Sequence, residues 1–284
     1  MADVSVIIPS YNRGQRLRRA IGSVLNQRLQ VREILVVDDG STDESGRIVE
    51  EFRRCADIPL ISCRQPNQGP AAARNLGISR ASGEFVAFLD SDDEWHRDKI
   101  LLQYPEMLAA SSFLVSHTRE RWLKNGRHLN QKNIHQPQHG DIFEQSLKLC
   151  CVGMSTVMAR KGLFERYGMF DESLRCCEDY DLWLRVAAFE PFLLVERRLT
   201  VKHGGRSDQV SRRYRVGMDR FRIQALGRLI ETVPIPEDRR SAARAELIRR
   251  CEIYRRGCMK HSRQSEAVFY RKLAERFFRI SEYR

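Results

Sequence analysis

The sequence predicts an α/β protein in which a mostly parallel, Rossmann-like sheet is flanked by helices and followed by a basic helical segment. The first observation is that short apolar, β-branched runs within residues 1–100 alternate with stretches whose apolar side chains recur at helical spacing. The second is an uneven charge: residues 1–200 carry 27 basic and 27 acidic side chains, whereas residues 201–284 carry 22 and 10. We therefore expect an α/β domain over residues 1–205 and a basic helical region over residues 206–284.

Composition narrows the class of protein. The apolar fraction of 42% is too high for a disordered chain, and no run approaches the ~18 apolar residues that span a bilayer. The N-terminus lacks the basic region and cleavage site of a signal peptide, so we expect a cytoplasmic location, with peripheral attachment to the inner face of the cytoplasmic membrane as the alternative. The eight cysteines include no C-x-x-C pair, which favours free thiols over disulfides or a zinc site.

Four strands are predicted in the first hundred residues, at positions 4–8, 33–37, 60–63 and 85–89. Apolar strands joined by helical crossovers indicate a parallel sheet that is covered on both faces. In such sheets ligands bind beyond the carboxyl ends of the strands. The residues near these four ends are Pro9, Tyr11, Asn12 and Arg13; Asp38 and Asp39; Gln68, Gly69 and Arg74; and Asp90, Asp92 and Asp93.

The fourth strand is followed by an acidic cluster, Asp90, Asp92 and Asp93. Three carboxylates within four residues repel one another unless a positive charge neutralises them, and the tetrad itself contains no Lys or Arg. Mg²⁺ or Mn²⁺ fits, because these ions take oxygen ligands and keep positions open for phosphate oxygens. The alternative is that one aspartate caps a helix beginning near Trp95 while the others are solvated.

The middle of the chain gives weaker patterns. We expect strands at 113–116 and 119–124, a hairpin at Asn125-Gly126 and an exposed loop over 130–139. Another strand is predicted at 152–159. A helix begins at Glu178-Asp179 with an apolar stripe behind it, and we expect Asp181 to face solvent or to cap this helix.

Together these residues resemble the family 2 glycosyltransferases of the GT-A fold. The resemblance covers roughly the first 200 residues and implies an inverting transferase that uses a nucleotide-sugar donor. It further implies that residues 1–100 bind the donor and that residues 101–205 hold the acceptor and the catalytic base. Five segments in the family's order carry it: Val6-Ile7-Ile8-Pro9-Ser10-Tyr11-Asn12, residues 36–43, Ala73-Arg74-Asn75, residues 89–93 and residues 178–185.

On the donor side, the resemblance implies that Asp39 reads the base, with Pro9 and Tyr11 beside it. Arg13 and Arg74 would lie close to the base or the diphosphate. Each of these residue types also has an ordinary structural role. Either aspartate after the second strand can fix an Asx turn, Tyr11 can be plain packing, and Arg74 can pair with a surface carboxylate.

Also on the donor side, the resemblance makes Asp90-Ser91-Asp92 the DXD motif of the family. Asp92 would be the direct metal ligand, and Asp90 would lie nearer the ribose and sugar. Asp179 would be the general base that takes the acceptor proton, a role worth about 10²- to 10⁴-fold in rate, with Glu178 as its neighbour or as an acceptor contact. Alternatively, one of these two acids caps the helix that begins here.

A glycine pair, Gly204-Gly205, lies in a stretch with His203 and Arg206 and suggests a mobile loop over a diphosphate. Arg206 would then contact the diphosphate. His203 would complete the metal shell, touch phosphate or act as a local hydrogen-bonding residue.

Three helices are predicted in the last third, at 226–230, 242–253 and 267–280, with Pro234 and Pro236 between the first two. The last helix carries an apolar stripe with basic neighbours. Such a stripe suits either an anionic membrane surface or packing on the catalytic domain. The stripe is Phe269, Leu273, Phe277 and Ile280, and its basic neighbours are Lys272, Arg276 and Arg279.

The resulting hypothesis is a glycosyltransferase, dependent on Mg²⁺ or Mn²⁺, that moves a hexosyl group from a nucleotide diphosphate sugar, UDP-sugar being preferred, to a hydroxyl with inversion. The acceptor would be a glycan or a lipid-linked molecule in surface or secreted polysaccharide synthesis, and nucleic acid is not an expected partner. A non-catalytic module that binds a nucleotide sugar or an anionic polymer is the alternative, which the acids at 90, 92 and 179 disfavour. A nucleotidyltransferase is disfavoured because the N-terminus lacks a Gly-rich phosphate loop with Lys.

Overall fold

A computed structural model describes residues 1–206, 208–214 and 216–282, without the side chains of residues 210, 211 and 280–282. The N-terminal part forms four parallel strands, as predicted. In chain order its elements are β1 (Ala2–Ser10), α1 (Gly14–Leu25), β2 (Val31–Asp38), α2 (Ser45–Cys55), β3 (Leu60–Arg64), α3 (Pro70–Arg80) and β4 (Phe85–Phe88). Successive residues of β1, such as Ile7 and Ile8, enter different apolar clusters, so both faces of the sheet are covered.

The second part extends the same sheet with mixed strand directions. Its elements are β5 (Glu94–Trp95), α4 (Lys99–Ala109), β6 (Val115–Lys124), β7 (Arg127–Leu129), α5 (Phe143–Lys148), β8 (Met158–Arg160), α6 (Gly162–Tyr167), α7 (Glu178–Ala187) and β9 (Leu193–Gly204). Within the described residues the strand order is β3-β2-β1-β4-β8-β6-β9-β5, and β7 pairs with β6. β8 runs antiparallel to β4 and β6, whereas β6 and β9 are parallel.

Three of the strands predicted for this part have different bounds in the structure. The strands expected at 113–116 and 119–124 are one strand, β6, which turns into β7 at Asn125-Gly126 as predicted. The strand expected at 152–159 is confined to its end, because a single 3₁₀ turn occupies Met154–Thr156. The reason is that side chains take the carbonyls of this turn: the Trp95 indole donates to Ser155 O (2.7 Å) and the Lys99 ammonium to Thr156 O (3.0 Å).

The predicted C-terminal helices are present and longer than expected. They are α9 (Met218–Thr232), α10 (Glu237–Lys260) and α11 (Gln264–Glu282), and a short helix that was not predicted, α8 (Val210–Arg213), precedes them. Leu229, Leu247 and Phe277 belong to the same apolar cluster as Trp183 of α7, so the helices share a core with the α/β part. None of the helices described is long and apolar enough to cross a membrane.

The apolar stripe of α11 differs from the predicted one. Leu273 and Phe277 pack against the core, as the packing alternative requires, but Phe269 is 58% exposed. Tyr270 instead joins the packed face, since positions 270, 273 and 277 follow the helical spacing of three and four residues. The side chain of Ile280 lies outside the described residues.

Candidate active site

The polar residues that follow β1, β2 and β4 lie together at one edge of the sheet, and the start of α7 reaches the same place. Parallel pairing sets this arrangement, because Ser10 at the end of β1 aligns with Asp38 at the end of β2. The backbone N–H of Asp39 donates to Ser10 O at 2.8 Å. Arg74 of α3 bridges to Glu178 of α7.

Asp39 lies in a cage of hydrogen-bond donors from residues 65–69. One carboxylate oxygen accepts from the Gln65 side chain (2.8 Å) and the Gln68 backbone N–H (2.9 Å), and the other accepts from the Gly69 N–H (2.8 Å). The residue is 4% exposed. A carboxylate offers about four lone-pair sites, so three donors leave one for a further N–H.

The neighbouring residues divide between scaffold and surface. Asp38 accepts from the Ser41 backbone N–H (2.9 Å) three residues on, so it holds the turn after β2 as a structural residue. Asn12, at φ 50°, accepts from Thr42 N–H (2.8 Å) and joins the two strand ends. Pro9 is a buried residue of β1, whereas Tyr11 is 45% exposed and so presents its ring beside the site rather than to the core.

Arg74 is a buried bridge between two predicted site residues. Its guanidinium donates to Glu178 at 2.6 Å and to Asp90 at 2.9 Å, and it lies 5.5 Å from the centre of the Phe170 ring. The alternative of a pairing with a surface carboxylate is therefore wrong. Although burial opposes its charge, Asp90 and Glu178 raise the pKa of Arg74 above its ordinary value, while burial raises the pKa of Glu178 against the pull of Arg74.

The acidic cluster is neutralised by cations from distant parts of the chain. Asp92 contacts Arg206, and Asp90 contacts Arg74. Asp93, which is 3% exposed, accepts from the Ser155 hydroxyl (2.7 Å) and the His203 backbone N–H (3.0 Å). Burial raises the pKa of Asp93 to about 7, against the influence of Lys202.

Lys202 of β9 supplies a further positive charge near the cluster. The negative charge of Glu120, with smaller contributions from Asp93, Asp90 and Asp179, raises the pKa of Lys202 above its ordinary value despite burial. The tetrad lacked a basic residue in sequence, but folding brings three basic side chains to it. The alternative in which the acids merely cap a helix and meet solvent is wrong, because Asp93 is buried and hydrogen-bonded.

Asp179 stands in the first turn of α7, which starts after Cys177 in a left-handed conformation (φ 66°). One oxygen of Asp179 accepts a hydrogen bond from the Tyr180 backbone N–H (2.7 Å). The other accepts a hydrogen bond from the Cys150 thiol at 3.4 Å. The expectation that Asp181 faces solvent or caps the helix is wrong. Asp181 is 2% exposed and pairs with Arg185 at 3.0 Å, because the inner side of α7 is packed.

The segment after β9 folds back over the site. The Asp208 carboxylate forms ion pairs with three guanidinium groups, those of Arg13 (2.8 Å), Arg16 (3.2 Å) and Arg206 (3.1 Å). The imidazole Nε2 of His203 lies 2.7 Å from a carboxylate oxygen of Glu94, outside hydrogen-bond geometry. Ser207, part of the predicted loop, lies outside the described residues.

Four residues of the site were missed by sequence reasoning: Ser155, Lys202, Cys150 and Asp208. None stands directly after one of the first four strands, where a parallel sheet places its ligand contacts. The polar Ser155-Thr156 pair, inside an apolar run that is typical of a strand, was the one available hint.

The carboxylate oxygens of the acidic cluster fit a hard divalent cation only when a bound molecule supplies the remaining oxygen ligands of the metal. Among the described residues, no group of three or more His, Cys, Asp and Glu side chains is placed to hold a metal ion. Asp92 and Asp90 supply two carboxylates, and both already face a guanidinium, which shows that this spot accommodates positive charge. Mg²⁺ and Mn²⁺ are commonly held in this way, by one or two carboxylates together with substrate phosphates.

Comparison with known proteins places this geometry in a family. Residues 5–168 match the family described as Glycosyl transferase family 2. A glycosyltransferase of Rickettsia felis is 36% identical over 220 residues, which are 76% of this chain and 36% of the relative. The chain therefore spans about a third of the length of that relative.

Two further proteins resemble the chain over more of their own length. The UDP-Glc:alpha-D-GlcNAc-diphosphoundecaprenol beta-1,3-glucosyltransferase WfgD of Escherichia coli is 35% identical over 185 residues, 64% of this chain and 69% of that protein. The structure of S. aureus TarS 1–349 with UDP-GlcNAc superposes with a TM-score of 0.74 at 20% identity, covering 94% of this chain and 79% of that one. The structural likeness supports the GT-A fold. The family match covers more than half of the residues of this chain. The chain therefore belongs to the family 2 glycosyltransferases.

Proposed function

We propose that the chain transfers a hexosyl group from a UDP-sugar to a hydroxyl of a glycan or lipid-linked acceptor, with inversion, in polysaccharide synthesis. One observation carries the proposal: a caged carboxylate at position 39, the pair Asp90 and Asp92, and Asp179 meet at one edge of the sheet. The proposal also draws on WfgD and TarS, whose names state a UDP-glucose donor and a UDP-GlcNAc complex respectively.

At the nucleotide end, Asp39 accepts an N–H of the base. Its remaining lone-pair site suits a base that offers a single N–H between two carbonyls, which is the edge of uracil. Tyr11, exposed beside Asp39, supplies a ring on which the base stacks. Arg13 and Arg206 then bind the diphosphate in place of Asp208, which they hold in this structure.

At the acceptor end, Asp179 takes the proton of the attacking hydroxyl. A hydroxyl is a poor nucleophile without a base, and the second acid of the pair is committed elsewhere, since Glu178 is buried against Arg74. Glu178 therefore holds Arg74 and the start of α7, and Asp179 is the acid left to act. Attack opposite the leaving diphosphate gives inversion in one step.

Asp92 and Asp90 would hold Mg²⁺ or Mn²⁺ in the donor complex, Asp92 directly. The ion would stabilise the negative charge of the departing diphosphate. For this, Asp92 must release Arg206, which then becomes available for the diphosphate.

Fewer residues of α11 are available to bind a membrane surface than the sequence predicted. Leu273 and Phe277 face the protein, whereas Phe269 and Val268 are exposed on the same helix as the exposed Lys272. A lipid-linked acceptor at the inner face of the cytoplasmic membrane would give this surface a use. Sedimentation with anionic vesicles at low and high salt tests it, and absence of binding at low salt would contradict it.

The proposed function is tested by incubating the protein with a panel of nucleotide sugars, with and without Mn²⁺, and measuring nucleoside diphosphate release. We expect release from one or a few UDP-sugars, lost on chelation. Release that persists with chelator would contradict the metal assignment. Tight binding of a nucleotide sugar with no turnover on any acceptor would favour the non-catalytic alternative.

A further inference from the structure

The residue of interest is Arg250, in the middle of α10 and outside the predicted catalytic domain. Its side chain is 4% exposed. The guanidinium donates to Asp219 of α9 at 2.8 Å, lies 2.7 Å from Glu246 of α10, and donates to two carbonyls at the end of α5, Leu147 O (3.2 Å) and Lys148 O. Arg250 therefore ties two C-terminal helices to a helix end of the α/β part.

The end of α5 leads directly to the predicted base. Leu147 O also accepts from the hydroxyl of Tyr180 at 2.8 Å, and Tyr180 follows Asp179 in α7. Two residues beyond Lys148, the Cys150 thiol lies 3.4 Å from the Asp179 carboxylate. One carbonyl, Leu147 O, thus receives both Arg250 from the C-terminal helices and Tyr180 from the base helix.

The ring of Tyr180 adds a second link between the same elements. Tyr180 is 1% exposed, and the guanidinium groups of Arg222 and Arg250 lie 5.9 and 6.0 Å from its ring centre. Two cations near a buried aromatic ring restrain it through the ring quadrupole. The side chain next to the base is therefore held by its hydroxyl and by its ring, and Arg250 lies against the ring and donates to the carbonyl that the hydroxyl also uses.

We propose that Arg250 is a positioning residue for catalysis: through Leu147 O, Tyr180 and the Cys150 contact, it holds Asp179 in place for the acceptor. This inference rests on the proposed role of Asp179 as base. It gives the C-terminal helices a part in the chemistry rather than only in attachment. Displacement of a catalytic group by about 1 Å can cost about 10²-fold in rate, so a remote contact of this kind has a measurable effect.

Arg239 offers a matched control on the same helix. It too joins α10 to the base helix, donating to Ala187 O (2.6 Å) and to Asp141 (2.7 Å), with its guanidinium 5.1 Å from the Phe143 ring. Its contact lies at the far end of α7 from Asp179. Arg239→Met therefore removes a docking contact of the same chemical kind without touching the base.

The test compares Arg250→Met, Arg250→Lys and Arg239→Met in full-length protein, at a temperature well below every unfolding midpoint. We expect Arg250→Met to lower kcat for transfer by about 10-fold or more with the donor KM and UDP affinity unchanged, Arg250→Lys to recover part of the loss, and Arg239→Met to keep kcat within about twofold. Equal kcat losses in Arg250→Met and Arg239→Met, or a loss of UDP affinity in Arg250→Met, would overturn the inference.

A double-mutant cycle separates this inference from the proposed function. If Arg250 acts through Asp179, then Arg250→Met should cost little further rate once Asp179→Asn is present. Full additivity of the two losses would overturn the inference while leaving Asp179 as the base. Near-normal transfer by Asp179→Asn alone would instead contradict the proposed base.

Discussion

The two ends of the site are built in different ways. At the nucleotide end, Asp39 is held by uncharged donors from one short loop, residues 65–69. At the acid and base end, the carboxylates instead meet charged or ionisable side chains, as Asp92 meets Arg206 and Asp179 meets Cys150. The first end is therefore ordered without a ligand, whereas under the proposed function the second has to exchange its internal partners for substrate groups.

The largest expected effect is that of Asp179→Asn. The substitution keeps the size of the side chain but removes the proton acceptor, so transfer should fall by about 10²- to 10⁴-fold. Initial rates of nucleoside diphosphate release with saturating donor and acceptor measure it. Glu178→Gln serves as the comparison, and a greater loss in that variant than in Asp179→Asn would move the base to Glu178.

Arg74→Met tests the buried bridge within the acid and base end. It leaves Glu178 buried without its cation and removes the partner of Asp90. Breaking a buried ion pair from one side typically costs about 3–5 kcal/mol of unfolding free energy. Urea unfolding measures the cost, and a loss below about 1 kcal/mol would show that Glu178 is neutral or rehydrated in the native protein.

Asp93 gives a prediction about pH. Its folded pKa of about 7 lies above the unfolded value of about 4, so the native state binds more protons between these values. The destabilisation that comes from ionising the buried Asp93 is therefore absent below pH 4 and fully present above pH 7. Between these limits Asp93→Asn should become progressively more stable than the parent, by about 1.4 kcal/mol for each unit of pKa shift. Thermal unfolding of both proteins from pH 4 to 8 checks this, and a constant difference would contradict it.

The smallest expected effect is that of Asp208→Asn. Asp208 occupies Arg13, Arg16 and Arg206, which the proposal assigns in part to the diphosphate. The pairs are partly exposed and worth about 0.2–1 kcal/mol, so their removal should tighten UDP binding by up to about fivefold, less at high salt. Calorimetry at two salt concentrations measures the change, and weaker binding would mean that Asp208 supports the site rather than competing for it.

The sequence predicted the strand end that carries Asp38 and Asp39, because its signals are local. A buried strand followed by Asp38-Asp39 indicated the place of the carboxylates, and Gly69-Pro70 indicated the start of α3. The four-strand parallel half followed from the same alternation of strands and helices. Local chemistry and spacing were sufficient there.

The acid and base end could be predicted only in part. The absence of Lys and Arg from residues 90–93 suggested a divalent cation for the cluster, but Arg206 contacts Asp92 from the segment after β9 and Lys202 of β9 adds positive charge nearby. The basic C-terminal region likewise places charge inside the protein, as Arg250 shows. Pairing between residues more than a hundred positions apart leaves no periodic signal in one sequence.

The contrast between the two ends is tested most directly by titrating UDP into Asp39→Asn and Asp179→Asn in parallel by calorimetry. We predict that Asp39→Asn loses most UDP affinity, because its side-chain amide places a donor where the base N–H needs an acceptor. Asp179→Asn should bind UDP as the parent does. Unchanged affinity in Asp39→Asn, or lost affinity in Asp179→Asn, would contradict this contrast.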